Sequence, residues 1–192
     1  MQIHKGSKGR RDGLIAVAAS ALVALGLIWS ANVGSAAQDA PAPAPPPESQ
    51  ERGPVTNLPL PRFVSMKASE GNVRRGPSLT HRIDWVFRRR GMPLEITAEY
   101  GHWRRVRDRD GAGGWVHYSL LSGIRTVLVE EDMLQVRAKP DASAPVMAAF
   151  ELGVVAHLGA CNRDWCEISA GGHSGWAPKK DLWGVGPDEL RD

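Results

Sequence analysis

The sequence predicts an all-β protein that uses one small fold twice, after an export signal and a proline-rich spacer. Three observations carry this expectation. Landmarks recur along the chain at a nearly constant offset, apolar residues alternate with period two, and Gly- and Asp-containing turns bracket the short runs.

The chain opens MQIHKGSKGRRDG, continues with the apolar run LIAVAASALVALGLIW and leaves through SANVGSAAQ. A basic start, a short apolar core and a small-residue exit form the pattern of a secretory signal peptide, so residues 1–37 are expected to be removed near Ala37–Gln38. The alternative is an uncleaved anchor, and the apolar run is shorter than the roughly 20 residues that span a bilayer comfortably. The expected location is therefore periplasmic or secreted, with membrane attachment only if the signal stays on. Without residues 1–37 the chain carries 20 basic and 20 acidic side chains, so its alkaline pI says little about partners. The distribution says more: residues 62–128 hold 13 basic and 6 acidic side chains, and 129–192 hold 6 and 11.

Residues 38–61 include APAPAPPPESQERGPVTNLPLP. Proline fixes φ and removes backbone donors, so this stretch is expected to be a disordered, extended linker. Such segments can also serve as ligands for aromatic grooves.

The remainder repeats. NVRRGPS (72–78) matches QVRAKPD (135–141), Gly91 matches Gly153, HWRRV (102–106) matches DWCEI (164–168), and DGAGGWVHYSLL (110–121) matches GGHSGWAPKKDL (171–182). The offset drifts only from 63 to 61. Two repeats are expected, at 62–128 and 129–186, with 187–192 as a tail.

Each repeat reads as strands. Met92, Leu94, Ile96 and Ala98 alternate with Pro93, Glu95 and Thr97, and Val154, Ala156, Leu158 and Ala160 stand at the matching positions. A period of two puts each apolar set on one buried face. Trp103 precedes Val106 by three, as Trp165 precedes Ile168, so either the strand is bulged there or the tryptophan faces outward.

The elements NVRRGPS, RRGMPLEI and EYGHWRRVRDRDGAGGWVHYSLLSG resemble the bacterial SH3-like (Src-homology-3-type) domain, here in tandem. The second copy departs at Ala138-Lys139-Pro140 and at GWAPKKDL. The resemblance implies two small SH3-like β-barrels and a binding or targeting role, often towards cell-wall peptides and beside a catalytic domain. With no catalytic domain in this sequence, the pair is expected to act by itself or through another protein.

The repeat register bears on the only two cysteines. Cys161 aligns with Glu99 and Cys166 with Arg104, flanking the same hairpin turn in both copies. An acid and a base at cross-strand distance suggest an ion pair, and two sulfurs suggest its covalent counterpart. An exported chain meets oxidants, so a Cys161–Cys166 disulfide is expected. A Cys₂His₂ zinc site can be drawn with His157 and His173, but the spacing matches no common zinc module. A redox C-x-x-C pair needs two intervening residues, and four are present.

No nucleophile elbow, H-E-x-x-H pair, phosphate loop or dinucleotide fingerprint occurs, and His81, His102, His117 and His173 fall in or beside predicted loops. Asp108, Asp110, Glu130, Glu131 and Asp132 read as solvated turn and linker acids. The expectation is no enzyme, no cofactor and no metal.

Two features could serve a ligand. Trp103 with Tyr100, and Trp85 with Tyr118, could line a groove on the first repeat, whereas Trp115 and Trp176 read as core or rim packing. FRRRG (87–91) and WRRVRDRDG (103–111) form an arginine face that could attract anionic polymers, an acidic partner or the acidic second repeat. Arginines among aromatics also suit nucleic acid, which an exported protein is not expected to meet. The expected partner is a cell-wall peptide or an envelope protein. The alternative is a structural or regulatory subunit of an envelope assembly, docked through the oppositely charged repeats.

Overall fold

The computed structural model describes residues 51–192. The expected signal segment, its cleavage point and the proline-rich start of the linker lie outside them. Among the described residues no helix is long and apolar enough to cross a membrane.

The first repeat contains β1 (Arg62–Met66), β2 (Gly71–Arg74), β3 (Ile83–Phe87), β4 (Pro93–Tyr100), β5 (Trp103–Arg107), β6 (Gly113–His117) and β7 (Leu121–Ser122). The second contains β8 (Thr126–Val129), β9 (Leu134–Arg137), β10 (Val146–Phe150), β11 (Val155–Cys161), β12 (Trp165–Ala170), β13 (His173–Pro178) and β14 (Leu182–Trp183). A one-turn 3₁₀ helix follows β6 and β13, at Tyr118–Leu120 and Lys179–Asp181. The protein is all-β, and the duplication holds strand by strand. The sheet orders are β3-β2-β6-β5-β4-β1-β7 and β10-β9-β13-β12-β11-β8-β14, the second being the first advanced by seven strands.

Neither sheet closes as a hydrogen-bonded barrel. Each ends at a two-residue strand already engaged on one side, with Ser65 opposite Ser122 and Met66 opposite Leu121 in the first repeat. β3 and β10 remain at the far edges.

Alternation fills two separate cores. Val73, Phe87, Leu94, Ile96, Val106 and Val116 are buried in the first repeat. Val136, Phe150, Ala156, Leu158, Ile168 and Ala177 hold the matching places in the second. Full burial of one such aliphatic or phenyl side chain is worth roughly 1.5–3 kcal/mol, so sixty-residue sheets rely on nearly every inward position.

The alternation read for β4 and β11 breaks once in each of these two strands. Ile96 pairs with Val106, but Ala98 pairs with Arg105, so β4 carries a bulge around Thr97. The same shift separates Leu158 from Cys161 in β11. A bulge reverses the side-chain alternation beyond it. Ala98 and Ala160, expected inward, are only half-buried, while Glu99 and Cys161 turn into the interior. β5 pairs with β6 without interruption, and Trp103 shares the outer face with Arg105 and Arg107, opposite buried Val106.

The expected boundaries need three corrections. Residues 51–61 are a folded arm rather than disordered linker: Arg52 bridges Pro59, Gly53 N–H donates to Leu58 O, and Leu60 joins the first core. Strand β8 begins at Thr126 and belongs to the second sheet, so the junction falls before residue 128. The tail is docked, since Arg191 exchanges two backbone hydrogen bonds with Cys161 at 2.7 and 3.0 Å.

The two repeats also pack on each other. The buried hydroxyls of Ser65 and Thr126 lie 2.6 Å apart, and Thr126 Oγ1 donates to Gly91 O at 2.5 Å. Phe63 meets the Trp183 ring edge-on at 5.3 Å, with the Arg125 guanidinium 5.6 Å from its centroid.

Candidate functional site

Most of the predicted arginine face is already engaged. Arg109 pairs with Glu130 at 2.7 Å and Arg89 donates to Gly153 O at 2.9 Å, both reaching into the second repeat. Arg107 pairs with Glu95, Arg88 with Glu70 and Arg104 with Glu99. Among the described residues of the two runs, Arg89, Arg90 and Arg105 lack a carboxylate partner, and Arg89 is engaged only by the Gly153 carbonyl. Glu130, expected to be solvated, is therefore part of the junction between repeats.

Glu99 organises the first hairpin. Its side chain is 0% exposed, and its carboxylate accepts from the amides of Val55 and Thr56, the Thr56 hydroxyl and Arg62 Nη2. Burial works to raise its pKa, but the hydrogen bonds from the Thr56 hydroxyl, Arg62 and the two amides overcome that and lower it to about 2. Arg104 Nε approaches the same carboxylate at 3.5 Å, and its Nη1 donates to Gly101 O and Trp103 O at 2.9 Å. The hairpin tip is thereby tied to the arm.

In the second repeat the equivalent pair is covalent. Cys161 and Cys166 face each other in register with S–S 2.03 Å and Cα–Cα 4.1 Å. The zinc alternative fails because both sulfurs are bonded and the bulge leaves His157 on the exposed face. The tip beyond the disulfide is fixed as well, since Asn162 Oδ1 accepts from the amides of Asp164 and Trp165 at 2.9 and 2.8 Å. Lys179 is buried, and its Nζ donates to Asn162 O, Pro187 O and Glu189 O at 2.8, 3.2 and 2.8 Å. One ammonium thus joins tip, 3₁₀ turn and tail. Glu189 is held in turn by Arg125 at 2.8 Å; burial works to raise its pKa, and the Arg125 hydrogen bond and the Gly186 amide lower it.

This framework walls a cleft of about 780 Å³ in the second repeat. Buried Leu134, Leu182 and Val185 supply an apolar base, half-buried Trp165 stands on one side, and Arg163, Lys180, Asp164 and Asp181 add charge. Lys180 is paired with Asp181 at 2.7 Å, whereas Arg163 has no carboxylate partner among the described residues. A cavity of this size with an apolar base and a few polar groups suits a peptide segment or a small molecule. Sequence reasoning missed the cleft. Its one signal, the change from GWVHYSLL to GWAPKKDL, has meaning only once the tip and the 3₁₀ turn are seen together.

The corresponding region of the first repeat carries rings. Tyr118 N–H donates to His102 O as Lys179 N–H donates to Asp164 O, which fixes the equivalence. Tyr100 and Trp103 are paired in register across the turn of the first hairpin. Trp85 does not approach Tyr118: it lies on edge strand β3 opposite Val73, and the rings Tyr118 meets are His102 and His117, with centroids 5.6 and 4.9 Å away. Trp115 and Trp176 are half-buried beside Arg74 and Arg137, at the rim rather than in the core.

Comparison with known proteins agrees with this architecture. The family profile of the bacterial SH3 domain matches residues 67–123 and 130–184, together more than half of the chain. No curated protein shows a significant match. Among solved structures, NlpC2 and NlpC1 from Trichomonas vaginalis are each 12% identical with a TM-score of 0.31, covering 64% of this chain and 47% and 45% of theirs. The chain thus spans less than half the length of each. Two copies of one seven-strand order, each coinciding with a profile match, make this chain a tandem member of the bacterial SH3 domain family.

Proposed function

We propose that this protein is a non-enzymatic binding module that works outside the cytoplasm and holds a cell-wall peptide or a segment of an envelope protein in the cleft of its second repeat. Bacterial SH3 domains are typically binding modules, and the cleft is the observation that carries the finer reading. Its apolar base would take a short aliphatic side chain, Trp165 would flank the backbone, and Arg163 would meet a carboxylate. Disulfide, Asx turn and Lys179 hold those groups before a ligand arrives, which reduces the ordering cost of binding. The disulfide also supports an oxidising location. The test is sedimentation with purified cell-wall sacculi across a salt series, comparing wild type with Arg163→Ala and Trp165→Ala. Binding weakened by both substitutions supports the reading, and no binding at low salt removes the wall as the target.

A second reading, a structural subunit of an envelope assembly, draws on a different surface. Strand β10, VMAAF, is an uncharged sheet edge, and exposed Met133, Val146, Met147 and Leu152 lie on or beside it. Free edges of this kind are usually guarded by charge or covered by a partner. Crosslinking in isolated envelopes that recovers one dominant protein, lost on Met147→Lys, supports this reading; failure to recover one counts against it.

A further inference from the structure

The internal duplication supplies a control that a single domain lacks. From the hairpin tip through the 3₁₀ turn, the second repeat carries Arg163, Asp164, Pro178, Lys179, Lys180 and Asp181, and the first carries Gly101, His102, His117, Tyr118, Ser119 and Leu120. All five charges have gone and three rings have arrived, at positions joined in both copies by the same backbone hydrogen bond from the 3₁₀ turn to the hairpin tip, Tyr118 N–H to His102 O and Lys179 N–H to Asp164 O. The fold does not require these rings, because the second repeat forms without them. Nor are they a core, since Tyr118 is 50% exposed and His102 is exposed as well.

The rings form one continuous ledge. Trp103 meets His117 edge-on at 5.5 Å, His117 leans on Tyr118 at 4.9 Å, and Tyr118 lies against His102 at 5.6 Å with only 32° between planes. Arg104 pins the tip from beneath through Gly101 O and Trp103 O, so the ledge stands on a rigid support. His117 Nδ1 is 2.7 Å from Ser119 Oγ, which either atom can supply with the proton.

We propose that this ledge is a second binding site, distinct from the cleft of the other repeat, and that it takes the face of a pyranose ring in a neutral glycan. A sugar ring presents C–H groups on its faces and hydroxyls around its rim. Aromatic faces cover the former, and imidazole, phenol and serine hydroxyl, able to donate and to accept, match the latter. A proline-rich peptide, the other ligand that exposed rings accommodate, offers carbonyl acceptors alone and would leave the acceptor capacity of this ledge unused.

The test uses the full chain with β-1,4-linked N-acetylglucosamine tetramer as probe, followed by NMR of the aromatic and histidine ring protons. The expected result is saturable movement of the His102, His117, Tyr118 and Trp103 signals, with affinity reduced by at least about tenfold in Tyr118→Ala and by less in Tyr118→Phe, which keeps the ring face and loses only the hydroxyl. Arg163→Ala leaves binding of the tetramer unchanged, and Tyr118→Ala leaves binding of a soluble, sugar-free cell-wall peptide unchanged, so failure at one site is read separately from failure at the other. Unaltered thermal unfolding of Tyr118→Ala shows that the loss is local. No movement of the ring signals at about 10 mM tetramer overturns the proposal, as does movement of the same signals by a proline decamer and not by the sugar.

Discussion

The Glu99 carboxylate lies 3.5 Å from Arg104 Nε at the two hairpin positions where the second repeat places a disulfide. One backbone position thus carries an ionic clasp in one copy and a covalent clasp in the other. Each is joined to a chain segment outside its repeat. Glu99 grips the arm through Val55 and Thr56, and Cys161 pairs with Arg191 of the tail.

The ionic clasp makes the first repeat acid-sensitive. Glu99 has a pKa of about 2 in the folded chain against an ordinary 4.5. A carboxyl lowered in this way contributes stability that is present above about pH 4.5 and is lost as the pH falls towards 2. Glu99→Gln is expected to cost about 3 kcal/mol at neutral pH, because Arg62 and Arg104 lose their counter-charge, and to flatten the acid limb of stability. Urea melts from pH 2 to 7 on both proteins check this; parallel acid limbs would refute it.

The covalent clasp should be worth less. Only four residues lie between Cys161 and Cys166, so a Cys161→Ser/Cys166→Ser protein is expected to lose about 2 kcal/mol and remain folded. The local signature is faster amide exchange at Arg191, whose N–H donates to Cys161 O. Unchanged Arg191 protection would show that the disulfide does not hold the tail.

Lys179 tests how far the cleft depends on its framework. Lys179→Met keeps the length of the side chain and removes the donor to Asn162, Pro187 and Glu189. The expected cost is about 2 kcal/mol, with weaker retention on sacculi and unaltered ring signals in the first repeat. Retention equal to wild type would separate the framework from the ligand.

Thr126 couples the repeats. Thr126→Val leaves Ser65 Oγ and Gly91 O without this partner and is expected to cost about 1–2 kcal/mol, while Thr97→Val, at a more exposed hydroxyl, changes stability by less than about 0.5 kcal/mol. Calorimetry of both variants checks the difference, and equal costs would mean that the buried hydroxyl contributes nothing special.

What residues 62–186 say unaided is considerable, because it rests on short-range regularity. The repeat offset, the period-two runs and the glycine turns yield the strands and their duplication. Aligning the copies places Glu99 against Arg104 and Cys161 against Cys166. Those relations depend on neighbours within one hairpin, and hairpin geometry is largely local. Tertiary structure alone decided which residues face inward beyond Ile96 and Leu158, because one bulged residue reverses the alternation with no signature in composition. It also decided that residues 51–61 fold, since a proline-rich arm gains order only when a buried carboxylate receives its amides. The cleft and the ring ledge belong to the same class: each is assembled from a hairpin tip and a 3₁₀ turn separated along the chain, and their proximity is a property of the packed sheet.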